Sequence, residues 1–383
     1  MALLWLCGAC LRVTVLATPP VVPLLHADLH LSETDIGWLM SLSPMLFAIA
    51  AIPGALLIAR FGILPALVMG LLINAAGSAA RAAYPDAISL YISTIVMAAG
   101  VSIMQPALPP LVRAWFPKAI GFATAMYTNG LLLGETLAVA LTIPLVLPLV
   151  GNSWRLSFIV WSVPVLLTAI LLVVCVAALG GTNRHAVSTN RKWWPDWRQP
   201  LIWRLGAILG SINAMYYVTN AFLPDYVTAM GRPDLISQSL TALNLCQLPS
   251  SFVMLGFAGR LVKQPWAYRV TGGLAALSVI GMMTTGGYWV VVWSGILGFV
   301  SAVTLILVLA LPSVLGAPDD VHRTSAGMFT ISYTIAMVLS VLGGLLWDLT
   351  HLPVAALALA ALCGLVVVAL ASTVRHTYRP AAA

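Results

Sequence analysis

The sequence predicts an all-α polytopic membrane protein of twelve transmembrane helices in two six-helix halves, and three observations carry that prediction. Of 383 residues, 61% are hydrophobic and 8% charged, with a mean hydropathy of +1.01, too little charge for a water-facing surface. The apolar residues gather into runs near the length of about 20 residues that a bilayer core about 30 Å thick requires. The basic residues sit between those runs and favour alternate loops.

Taken in order, the runs cover approximately 2–25, 34–59, 62–83, 87–112, 119–149 and 154–180, then 200–228, 236–259, 266–286, 289–316, 323–347 and 351–373. The one long break is polar and tryptophan-rich, so the chain divides into an N-terminal half, 1–180, a cytoplasmic linker, 181–199, and a C-terminal half, 200–383. The first run has no basic region ahead of it and is interrupted by Arg12, so it reads as a retained helix rather than a cleaved leader. With both termini assigned to the cytoplasm, fourteen cations, from Arg60 and Arg113 to Arg375 and Arg379, lie on that side. Only Arg81, Arg155 and Arg232 lie outside, and Arg12 is in the membrane. That bias supports twelve spans, because one false span would flip every later loop. Trp38, Trp154 and Trp203 stand near span ends and read as interface anchors.

The same pattern excludes several functions. A net charge of +7 would raise the question of nucleic acid in a soluble protein, but here the cations orient helices, so no nucleic-acid partner is expected. Cys7, Cys10, Cys175, Cys246 and Cys363 all lie in apolar runs and read as small buried hydrophobes; the Cys7–Cys10 pair lacks the second ligand pair a zinc site needs. His26 and His30 share a helical face, a spacing more typical of a solvated helix end than of a metal site. No cofactor or resident metal is expected. A phosphate-binding G-x-x-x-x-G-K-[ST] loop is absent, so any transport draws on a gradient. An intramembrane enzyme would need a nucleophile with its base at depth. No histidine and one carboxylate lie there, so the chain is not expected to be an enzyme.

What remains are buried polar groups. Arg12 lies about 15 Å into the first run, at the midplane. An arginine cannot shed its proton, so there it faces a protein partner, a water-filled cavity or an anion. A substrate contact and a structural ion pair are both open. Glu135 is the only acid deep in a span, the natural counter-charge to Arg12 and the candidate proton-coupling group. Counted from the start of its run it lies about 24 Å in, which leaves a gap in depth between the two. Asn213, Tyr217 and Asn220 share one face of span seven, and Asn244 and Gln247 share a face of span eight. Gln105, Tyr127 and Tyr333 are further candidates for substrate binding. For each, interhelical hydrogen bonding is the competing reading.

Two six-helix halves suggest the parallel pseudo-repeat of the major facilitator superfamily. Arg60-Phe61-Gly62 keeps the end of that superfamily's G-x-L-x-D-R-x-G loop, with Ala59 where the aspartate would stand. Within it the chain resembles the cyanate permease and 2-nitroimidazole transporter family. The resemblance rests on Leu11-Arg12 followed by Pro19-Pro20, Leu108-Pro109-Pro110 before Trp115-Phe116-Pro117, and Gly121 to Tyr127. It continues through Gly134-Glu135-Thr136, Tyr216-Tyr217 with Phe222-Leu223-Pro224, and Gln247-Leu248-Pro249. It implies a monomeric, multi-pass carrier of the bacterial inner membrane, without cofactor, for a small anion or a small, polar, nearly planar molecule. The arginine of the first span would be a substrate contact, and protons a possible co-substrate. A uniporter or exchanger, or an exporter of a small planar compound, stays open as the alternative, and a sensor without flux as a third reading.

Overall fold

The computed structural model describes residues 1–31, 33–84, 86–178, 192–352 and 354–375; most of the linker, with Arg184, His185 and Arg191, and the chain end, with His376 and Arg379, lie outside them. Among the described residues there is no strand. The first half runs through α1 (Ala2–Ala9), α2 (Val22–Leu29), α3 (Glu33–Ile49), α4 (Ala51–Phe61), α5 (Ile63–Ala80), α6 (Ala87–Trp115), α7 (Ile120–Leu141), α8 (Leu147–Leu149) and α9 (Trp154–Ala178). The second runs through α10 (Pro200–Ala229), α11 (Ile236–Leu245), α12 (Gln247–Leu261), α13 (Pro265–Thr284), α14 (Trp289–Leu315), α15 (Val321–Thr350) and α16 (Val354–Leu370).

Among the described residues, seven stretches are long and apolar enough to cross a membrane alone, and α3 with α4 makes an eighth, bent by 48°. The other spans fall short for local reasons. Span one is broken; α10 carries Asn213, Tyr216, Tyr217 and Asn220, and α13 carries Tyr268 and Arg269; α16 has 17 residues. Span five is not one helix either: a π-turn, Thr142–Val146, joins α7 to α8.

The chain groups into two compact units, Met1–Trp115 with Met126–Pro195, and Phe116–Ala125 with Asp196–Ala383. Within the first, span one packs on spans five and six, span two on span four, and span three on spans four and six. Within the second, span seven packs on spans eleven and twelve, span eight on span ten, and span nine on spans ten and twelve. Each pairing recurs six spans later, the pattern of an internal repeat.

Glycines allow the closest of these contacts. A Cβ on Gly8 would overlap the Tyr127 carbonyl, one on Gly130 the Trp5 carbonyl, and one on Gly134 would lie 2.5 Å from the Ala9 oxygen. Small residues let helix backbones approach where lipid supplies no hydrophobic force between helices. Trp154 is no interface anchor: it is 4% exposed and its indole donates to Asp28 Oδ2 at 2.8 Å. Arg81 is not a loop cation but is 1% exposed. The side chain of His26 lies outside the described residues.

Candidate functional site

Span one was expected as one helix over 2–25; it is two half-helices with an irregular stretch between, and Arg12 stands in that stretch. Pro19, Pro20 and Pro23 bring no N–H, so carbonyls one turn earlier lose their helical partners, and regular structure does not resume until Pro19–Val21 and α2. Over residues 10–18 the main chain keeps scattered bonds, such as Arg12 N to Ala9 O at 3.1 Å and Leu16 N to Arg12 O at 2.9 Å. Other carbonyls are taken by side chains of α5 and of Arg81, which caps it. Asn74 Nδ2 donates to Cys10 O and Arg81 Nη2 to Thr14 O, both at 2.9 Å.

The guanidinium of half-buried Arg12 lies over the ring of Phe47, 5.6 Å from its centroid. Phe47 is 1% exposed and sits one turn before Ala50, where α3 gives way to α4. Two interrupted spans therefore meet at this cation, and in transporters such interruptions frame binding sites because freed backbone groups can face a ligand. Nothing in the sequence singled out Phe47; the only signal was an aromatic residue near Pro44 and Pro53.

The gap in depth between Arg12 and Glu135 closes. Trp5 lies against Gly130 and Ala9 against Gly134, so residues of α7 match residues of span one about 125 positions earlier. Glu135 is therefore level with the stretch just before Arg12. Counting from the start of α7 overstated its depth because that helix begins several residues before the level at which α1 begins. Tyr127 and Asn129 belong to the same crossing, nearer the chain start: Trp5 Nε1 donates to Asn129 Oδ1 at 2.9 Å, and Tyr127 is 2% exposed. Gln105, 6% exposed, is one turn beyond Ser102, whose hydroxyl donates to Leu46 O at 3.1 Å beside Phe47. Gln105 Oε1 has no partner among the described residues.

In the second unit the predicted face of span seven splits. Asn213 turns to span eleven and donates to Ser332 Oγ at 2.8 Å. Asn220 joins Asn244 of span eight, whose Nδ2 donates to Asn220 Oδ1 at 3.2 Å. Tyr216, which the helical-face argument passed over, closes the set: its hydroxyl donates to Asn244 Oδ1 and its carbonyl accepts from Asn220 Nδ2, both at 2.8 Å. Tyr217 stays beside this network, its ring edge-on to Tyr216 at 5.4 Å. Gln247 is buried just past Cys246, where α11 gives way to α12, and Tyr333 is buried with its ring stacked on Phe329 at 6.3 Å. Span eight is thus interrupted beside its polar cluster, as span two is beside Phe47.

The family model described as the Major Facilitator Superfamily matches residues 4–341. The chain belongs to the major facilitator superfamily. Among members with curated descriptions it is 24% identical to the 2-nitroimidazole transporter of Escherichia coli, over 89% of this chain and 85% of that one. It is also 24% identical to the cyanate transport protein of the same organism, over 63% and 62%. The crystal structure of the superfamily transporter FucP in its outward conformation superposes with a TM-score of 0.75 at 16% identity, covering 98% of this chain and 99% of that one. Superfamily membership accounts for the repeated pairing of spans.

Proposed function

We propose that this superfamily transporter is a secondary carrier that moves a small anion, or a small, polar, nearly planar molecule, by alternating access between its halves, 1–180 and 200–383, joined by the linker. One observation carries the reading: a permanently charged guanidinium held over an aromatic ring in the gap of a broken span, level with the one deep carboxylate. A cation in that setting suits one negative charge or a strong dipole, and the Phe47 ring beside it suits a flat molecule. The names of the two relatives, a nitroimidazole carrier and a cyanate carrier, agree with that chemistry. Arg12 is the substrate anchor, Glu135 the proton-coupling group, and Gln105, Tyr127, Asn213, Tyr217, Asn220, Asn244, Gln247 and Tyr333 are the polar groups offered to the substrate. The carrier works as a monomer in a bacterial inner membrane with both termini cytoplasmic.

The test is uptake into proteoliposomes of labelled cyanate, formate, bicarbonate and 2-nitroimidazole, each run against a pH gradient and as counterflow. Saturable uptake of at least one, abolished by Arg12→Ala, is expected. Absence of uptake and counterflow for all four would overturn the substrate class.

A further inference from the structure

The fully buried Arg81 has no part in the reading above, nor has the buried Asn74 two turns before it on the same helix face. Asn74 is on α5 and Arg81 caps its C-terminal end, and both reach across to the interrupted stretch of span one. Asn74 makes two contacts there: its Nδ2 donates to Cys10 O at 2.9 Å and its Oδ1 accepts the Thr14 hydroxyl at 2.8 Å. Arg81 makes two more, Nη2 to Thr14 O at 2.9 Å and Nη1 to Thr18 Oγ1 at 2.9 Å, while Nη2 also reaches Ser78 Oγ at 2.8 Å. Its guanidinium carbon lies over the ring of Phe158 of α9, 3.9 Å from the centroid. These partners are hydroxyls, a carbonyl and a ring, which hold a cation by dipoles rather than by charge.

The base of this clamp is stiff. A Cβ on Gly100 of α6 would overlap the Asn74 nitrogen, and one on Gly70 would lie 2.9 Å from the Gly100 oxygen, so the two backbones touch where Asn74 is rooted. The clamped points are residues 10 and 14, two positions before and two after Arg12. A segment without its own helical ladder would otherwise be free to wind or slide, and would carry Arg12 with it.

We propose that Asn74 and Arg81 are positioning residues: by holding the main chain at Cys10 and Thr14 they fix where the Arg12 guanidinium stands. Its use for substrate rests on the function proposed above; the clamp itself does not.

The experiment therefore has arms that need no substrate. In purified protein, amide exchange over residues 10–18 and the mass-mapped rate of Arg12 modification by phenylglyoxal are compared among the parent, Asn74→Ala, Arg81→Gln and Thr14→Val. Thr14→Val keeps the shape of the side chain and removes one hydroxyl from the clamp, so it is the variant to rely on should the others not fold. Exchange over residues 10–18 is expected to quicken by about tenfold or more, with the rest of α5 and α6 little changed, and the Arg12 modification rate to change several-fold. A role confined to stability would lower the melting temperature of Thr14→Val and leave both local readouts at the parent's values, which would overturn the proposal. In the uptake assay, a raised KM with little change in maximal rate follows if Arg12 also anchors substrate. Altered exchange and reactivity with an unmoved KM would keep the clamp and reject the anchor.

Discussion

A guanidinium carried to mid-membrane depth cannot discharge itself, so its neighbours decide its use. Phe47 gives it a flat face, and the break in span one puts it on a short tether rather than on a helix shaft. If it grips substrate by a forked pair of hydrogen bonds, Arg12→Lys keeps the charge and loses the fork. Transport by that variant should fall by at least about tenfold, and Arg12→Ala should lose it altogether; near-normal uptake by both would make the arginine structural. Arg12, Glu135 and Asn244 were legible because a polar residue in an apolar run is conspicuous by composition alone. Phe47 was not, since aromatic residues are ordinary in such runs. Tyr216 was missed because strict helical spacing favoured Asn213, Tyr217 and Asn220 as one face, whereas the side chains divide between spans eight and eleven. Arg81 sits at a span end, where a count of charges assigns a loop; its burial depends on Thr14, Thr18 and Phe158, which are distant in sequence.

Helix positions were readable from apolar runs, but continuity was not. The prolines after Thr18 mark the later part of the break in span one, yet the loosening already begins near Cys10, and there the cause is a competing donor from α5, invisible to local sequence. Depth was misjudged for a related reason, since rise per residue fixes distances along a helix but not the offset between two. That offset is set by close packing at Gly8, Gly130 and Gly134. A β-branched residue at the third should therefore push α7 off span one. With backbone as the obstacle, relief needs a helix shift, so Gly134→Val should cost upwards of about 2 kcal/mol. The check is thermal unfolding in detergent: a clear drop in melting temperature for Gly134→Val is expected, with Gly273→Val, where a Cβ meets nothing within 4 Å, close to the parent.

At the scale of the molecule, two units repeat one pattern of span pairing, and under the proposed twelve-span reading both chain termini face the cytoplasm. Reporters fused near His185 and at the C-terminus should both signal cytoplasm; opposite locations would sink the twelve-span orientation. The same architecture bears on coupling. A carrier that rocks between two faces has to pass through a closed form, and a bare charge sealed in low dielectric is costly. If Arg12 takes an anion and Glu135 takes a proton, the loaded protein carries the same net charge as the empty one, and closure adds none. Packing at Gly134 brings Glu135 level with the stretch before Arg12. Glu135→Gln keeps the size and the hydrogen-bonding edge of a protonated acid and cannot release a proton. Counterflow, which exchanges labelled for unlabelled substrate without a net proton, should survive in that variant, while accumulation driven by an imposed pH gradient should vanish and the pH dependence of uptake flatten. The measurement is a paired assay on the same proteoliposomes, with counterflow serving as the internal control for folding. A Glu135→Gln protein that still concentrates substrate under the gradient as the parent does would remove Glu135 from coupling and leave a uniporter or exchanger built on Arg12.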